Sequence, residues 1–177
     1  MEMSLAQTSI KAHYWRRITP AMQLSDIIAS DAVVPSLRAA SKKQVLQELS
    51  NAAAKITGVD SRRILESLLQ REKLGSTGLG QGIAIPHAKF NELDRVQGLF
   101  ARLAQPVDFD APDDQPVDLV FLLLAPESAG ADHLKALARI SRSLRDPTIV
   151  GKLRGTDSAA GLYAILTEPT TSASHAA

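Results

Sequence analysis

The chain of 177 residues contains no cysteine. That excludes disulfides, thiolate nucleophiles and cysteine-type zinc sites at once. Aromatic residues are scarce at 4%, with one tryptophan, Trp15. No sign of charge dominates: 20 basic side chains face 19 acidic ones, a net charge of +1. The basic stripe that a nucleic-acid binder carries is therefore missing, and no nucleic-acid partner is expected. Long hydrophobic runs are missing too. No uncharged stretch approaches the roughly 20 residues of a membrane helix. The N-terminal "MEMSLAQTSIKAHYWRRITP" carries Glu2, Lys11, Arg16 and Arg17 and has no apolar signal-peptide core. These absences lead us to expect a soluble, cytoplasmic protein without membrane insertion.

What is present is ordinary for a globular protein: 45% hydrophobic and 22% charged residues, at a length that supports one domain with a sizeable core. Residues 1–20 read as an N-terminal tail. Tyr14 and Trp15 suit weak packing on the domain or a docking peptide. A single domain is expected over 21–167. The small polar residues of 168–177 predict a disordered C-terminal tail in which His175 has no role.

Helices announce themselves by period. "SKKQVLQELSNAAAKITG" places Val45, Leu46, Leu49, Ala53 and Ile56 at helical spacing, with Ser41 as N-cap and Gly58 as stop. "DSRRILESLLQREKLG" follows, capped at Asp60 or Ser61 and ended by Gly75. Residues 131–147 form a third helix, with His133, Leu137, Ile140 and Leu144 on one face. "TIVGKLRG" is a short piece, and 158–167 a last helix. Two strands are expected. "VQGLFARLA" alternates partly, and "PVDLVFLLLAP" is a near-continuous apolar run, as a strand buried on both faces would be. The fold class is α/β (α+β), a mixed β-sheet flanked by helices, with helices preceding the strands.

The chemistry concentrates in "REKLGSTGLGQGIAIPHAKF", residues 71–90. It is no P-loop, because no lysine follows the last glycine and the order is helix before strand. It is no dinucleotide fingerprint, because Gly78, Gly80 and Gly82 give G-x-G-x-G. Glycines still let backbone amides approach an anion, and Thr77 adds a hydroxyl. Ile83 and Ile85 alternate as a core-anchored strand does. Pro86 fixes its own φ and biases Ile85 to an extended form. His87 is then held rigidly at the mouth of a glycine-rich loop; the plain alternative is a surface histidine after a turn.

His133 opens the third helix just beyond the end of the buried strand, where ligands of open α/β sheets collect. Alone it reads as a polar residue completing a core stripe. With His87 it makes a pair that converges on one pocket. Metal is not expected, since no H-x-x-x-H or H-E-x-x-H occurs, and a serine hydrolase lacks its G-x-S-x-G. Phosphoryl transfer asks for less: a neutral imidazole with an ordinary pKa of about 6.5, and groups that position and neutralise the transferred anion.

The loop resembles the active-site signature of the IIA phosphocarriers of the sugar phosphotransferase system, fructose–mannitol class. It is most similar to the nitrogen-regulatory branch, R-E-x-x-G-S-T-G-x-G-x-G-I-A-I-P-H. The resemblance runs from about Leu24 to Leu166 and includes "SKKQVLQEL", "QPVDLVFLLLAPE" and "DHLKALARIS". It implies a phosphotransferase component rather than a stand-alone metabolic enzyme, working without a cofactor. His87 occupies the position that accepts a phosphoryl group from an HPr-like carrier, itself charged by an enzyme I-type kinase using phosphoenolpyruvate. His133 matches the supporting histidine, Arg71 and Thr77 the charge-stabilising and hydrogen-bonding residues, and Gly78, Gly80 and Gly82 the phosphate loop. One departure stands out: Ala88 replaces the glycine that family members commonly carry after the histidine.

The chain has no room for IIB or membrane IIC domains, which favours a regulator whose phosphorylation state selects partners such as potassium transporters or sensor kinases. The alternatives are a IIA component of fructose/mannitol-type sugar uptake and a non-catalytic interaction module. Asp108, Asp110, Asp113, Asp114, Asp118, Glu127 and Asp132 fall between Gln105 and His133 without a lysine or arginine. If these acids border His87 they steer a basic carrier to it; otherwise they are a solvated turn.

Overall fold

The computed structural model describes residues 21–169. The expectations for residues 1–20, Trp15 included, and for His175 lie outside the described residues. Glu168, the first residue of the expected C-terminal tail, is placed with Oε2 3.5 Å from Nζ of Lys152.

A 3-10 turn at Leu24–Asp26 leads into strand β1, Ile28–Leu37. Helices α1 (Lys42–Thr57) and α2 (Ser61–Lys73) follow. Three short strands come next, β2 (Gly78–Gly80), β3 (Ile83–Ala84) and β4 (His87–Phe90), and then two long ones, β5 (Gln97–Val107) and β6 (Val117–Pro126). Helices α3 (Gly130–Leu144), α4 (Pro147–Arg154) and α5 (Ala159–Thr167) complete the described chain.

The caps are those the sequence offers. Ser41 Oγ accepts from the Gln44 amide at 3.2 Å, and Gly58 takes the left-handed C-cap at φ 75°. Asp60 Oδ1 accepts from the Arg63 amide at 3.1 Å. The short piece near 147–154 proves to be a full helix: Pro147 occupies its first turn and Asp146 accepts from the Thr148 amide at 2.9 Å.

The six strands form one mixed sheet in the order β1-β5-β6-β3-β2, with β4 also paired to β6. β6 is its centre. Leu119, Phe121 and Leu123 face α3–α5 together with Phe100, Ile140, Leu144 and Leu162. Val120, Leu122 and Leu124 face α1 and α2 together with Leu46, Leu49, Ile64 and Leu68. Burial on both faces explains the unbroken apolar run, each large side chain contributing roughly 1.5–3 kcal/mol.

The expectation that helices precede the strands is corrected by β1. Its sequence, "IASDAVVPSL", breaks the strand pattern with Ser30, Asp31 and Pro35. As the outermost strand it pairs only with β5, with two register shifts. An edge tolerates a proline and a bulge that a central strand does not.

Strands β3 and β4 lie end to end along one side of β6. Ile83 and Ala84 pair with Leu119 and Val120, and His87 through Phe90 with Leu123 through Pro126. The joint at Ile85-Pro86 is held from both sides: the Ile85 amide donates to the Thr77 carbonyl, and the Leu123 amide to that of Pro86, each at 3.0 Å.

Candidate phosphoryl-acceptor site

His87 begins β4, on the face that looks towards α3, since its neighbour Ala88 packs with the α1–α2 layer. Ala88 is buried and is absent from the residues with positive φ, so the alanine in place of glycine fits without backbone strain. The His87 ring is fixed at both nitrogens. Nδ1 lies 2.9 Å from the Ile85 carbonyl oxygen. A carbonyl only accepts, so Nδ1 carries the proton and Nε2 keeps its lone pair. Arg71, in the last turn of α2, donates from Nε to that Nε2 at 3.3 Å and from Nη1 to the Gly75 carbonyl at 2.9 Å.

His133 sits in the first turn of α3, its amide donating to the Ala129 carbonyl at 2.7 Å. Its ring is buried, and Nε2 has no hydrogen-bond partner among the described residues. The two imidazole centroids are 5.6 Å apart. The structure thus brings His87, His133 and Arg71 to one place, approached from both helical layers.

Burial lowers the His87 pKa below its ordinary 6.5; Arg71 and Lys89 lower it further, against the Ile85 bond and Glu72, which raise it. Burial, His87 and Lys89 likewise lower His133. Both rings are therefore neutral at pH 7. Lys89, two residues beyond His87 on β4, shares its face. Sequence reading passed over it, although strand alternation from His87 reaches it directly.

Thr77 is turned towards Glu72. It is 5% exposed, and both its amide and its hydroxyl donate to the Glu72 carboxylate. Gly78, Gly80 and Gly82, the glycines of the expected phosphate loop, belong to the β2–β3 hairpin. Gly82 takes φ 81°, and its carbonyl accepts from the Asp118 and Leu119 amides. Leu119 is four residues along β6 from Leu123, where His87 pairs, a separation of roughly 13 Å. At that far end the Gln81 amide donates to Asp113 at 2.7 Å, and Arg154 forks onto Asp118 with two contacts of 2.8 Å. The anion that this hairpin holds is the chain's own Asp113 carboxylate. Gly78 pairs with Ala84, and a side chain there would press Ala111. The acidic stretch divides in the same way, Asp113 in the turn before β6, Asp118 at its start, and Glu127 and Asp132 beyond its end. It is not one face.

Among the described residues no group of three or more His, Asp or Glu could hold a metal, and no helix is long and apolar enough to cross a membrane.

A mixed six-stranded sheet between two helical layers, bearing a histidine pair beside the last turn of a helix, is the arrangement that the resemblance to IIA domains of the phosphotransferase system leads one to expect. Comparison with known proteins agrees. The chain belongs to the family described as "Phosphoenolpyruvate-dependent sugar phosphotransferase system, EIIA 2", whose model matches residues 26–168. It is 57% identical over 148 residues to a nitrogen regulatory protein of Bradyrhizobium diazoefficiens, covering 84% of this chain and 97% of that one. To a nitrogen regulatory protein of Escherichia coli it is 41% identical over 148 residues, covering 83% and 91%. Among solved structures it superposes on the nitrogen regulatory protein IIA-Ntr of Neisseria meningitidis with a TM-score of 0.77 at 38% identity, covering 81% and 99%.

Proposed function

We propose that the protein is a phosphohistidine carrier with regulatory output. Nε2 of His87 takes the phosphoryl group from the phosphohistidine of an HPr-like carrier. The Nε2 lone pair forms the new P–N bond as the carrier's P–N bond breaks, and the electron pair returns to the carrier's imidazole. The observation that carries this reading is the 2.9 Å contact of His87 Nδ1 with the Ile85 carbonyl, which leaves Nε2 unprotonated. Arg71, which donates to Nε2 at 3.3 Å before transfer, turns from that lone pair to the phosphoryl oxygens as the P–N bond forms and neutralises their charge. His133 supports the phosphoryl oxygens with a ring proton on Nε2.

The kinship with nitrogen regulatory proteins favours output through protein partners chosen by phosphorylation state, potassium transporters or sensor kinases in the cytoplasm, over sugar delivery. The test is incubation with phosphoenolpyruvate, an enzyme I-type kinase and an HPr-like carrier. We expect an acid-labile phosphate on His87 Nε2, none in His87→Ala, and slower labelling in His133→Ala. Full labelling of His87→Ala overturns the assignment.

A further inference from the structure

A line of polar contacts runs from the start of α1 to His87. Lys42 Nζ stands 2.6 Å from Oε2 of Glu72, whose side chain is only 7% exposed. Lys42 also donates to the Phe109 carbonyl at 3.2 Å. Glu72 accepts from the Thr77 amide at 3.2 and 3.3 Å and from the Thr77 hydroxyl. The Thr77 carbonyl accepts from the Ile85 amide at 3.0 Å. The Ile85 carbonyl accepts from His87 Nδ1 at 2.9 Å.

A carboxylate this buried is costly unless its oxygens are filled. Here they are filled by one cation and two donors of a single residue. Thr77 is thereby pinned at its amide and its hydroxyl, and its carbonyl is aimed at Ile85. Arg71 and Glu72 are consecutive at the end of α2, and they serve opposite sides of one ring. Arg71 meets Nε2 directly, and Glu72 reaches Nδ1 through two residues.

We propose that Glu72 is a positioning residue for phosphoryl transfer at His87: through Thr77 and Ile85 it keeps the ring proton on Nδ1 and leaves Nε2 unprotonated for the transfer. This rests on the carrier function proposed above. It gives Thr77 an inner role, holding the strand joint rather than touching phosphate. It gives Lys42 the task of keeping the Glu72 carboxylate in place. Displacing a reacting atom by about 1 Å can cost on the order of 100-fold in rate, so slack in this line is read out as slow transfer.

The experiment pairs ring 15N shifts of unphosphorylated His87 with transfer rates from the HPr-like carrier. Wild type must show a bare Nε2 and must label; wild type that does not label refutes the carrier function itself, whatever the tautomer. In Glu72→Ala we expect the two tautomers to mix and transfer to fall about 10- to 100-fold, chiefly in kcat. In Glu72→Gln, whose amide oxygen still accepts from Thr77, we expect the single tautomer and most of the rate to return. If Glu72→Ala does not fold, Thr77→Val, which removes only the hydroxyl's bond, is expected to show the same mixing in smaller measure, with Thr77→Ser as wild type. A labelled wild type together with an unchanged tautomer and rate in Glu72→Ala overturns the proposal. So does a slow Thr77→Val whose His87 tautomer is unchanged, because that points to a hydroxyl acting on the phosphoryl group directly.

Discussion

The imidazole rings of His87 and His133 lie 5.6 Å apart and are inclined by 50°. Their separation makes each ring's protonation a cost to the other. His87 is among the causes that lower His133, and Lys89 among those that lower both. In His87→Gln we expect His133 to titrate at higher pH than in wild type, still below the ordinary range because burial and Lys89 remain. Lys89→Met is expected to raise both histidines. Proton NMR titration reads both variants, and an unmoved His133 in His87→Gln refutes the coupling.

The same shifts set a pH window for stability. Both histidines titrate lower in the fold than in the unfolded chain, where the value is about 6.5. Between the two values the unfolded chain binds more protons, so stability rises with pH. The contribution is complete above about pH 6.5 and is lost as pH falls below it. Asp113 is lowered by the Gln81 and Gln115 amides, and its share is lost only below its ordinary 3.8. We therefore expect a lower urea midpoint at pH 5 than at pH 7.5, and a smaller difference in a His87→Gln, His133→Gln double variant. An equal difference in the two proteins excludes the histidines as its source.

Gly82 separates architecture from chemistry. At φ 81° an alanine is strained, and its Cβ meets the Arg154 guanidinium and, at 2.8 Å, the Asp118 carboxylate. Strain of this kind costs about 1–3 kcal/mol, and each kcal/mol lowers Tm by roughly 2–4 °C at this size. Gly82→Ala should melt several degrees early, yet transfer phosphate normally per folded molecule, because the turn is remote from His87. Slow transfer with an unchanged Tm would restore the glycines to the phosphate site.

The long helices and the central strand were legible because their periods report burial directly. Val45, Leu46, Leu49 and Ala53 all turn inward, and β6 carries apolar side chains on both faces. β1 was not legible, because an edge strand relaxes the alternation and even accepts Pro35. In the site, His87, Arg71 and His133 followed from motif and resemblance, and the structure gathers them. The glycines carried two readings because positive φ, seen at Gly80 and Gly82, serves a tight hairpin as well as an anion, and only the register of β3 on β6 sets Gly82 apart from His87. Glu72 stood in the quoted signature without a role: its partners, Lys42 and Thr77, are 30 residues before it and 5 after it in sequence. Nothing in a linear pattern pairs them.

Leu74 and Leu134 are the large hydrophobic side chains left exposed among the described residues, at 84% and 66%. Each is tied in sequence to the site. Leu74 lies three residues past Arg71, and Leu134 directly follows His133. One belongs to the end of α2 and the other to the start of α3, so a carrier that touches both spans the two layers between which His87 stands. Removing an exposed leucine leaves stability within about 0.5 kcal/mol. Truncating an apolar anchor in an interface often costs more than about 1 kcal/mol, roughly 5-fold in affinity. Leu74→Ser and Leu134→Ser are thus each expected to raise KM for an HPr-like carrier about 5-fold, with kcat and Tm as in wild type, because the ring geometry of His87 is untouched. Transfer kinetics with KM unchanged in both variants would place the carrier's footprint elsewhere on the site's rim.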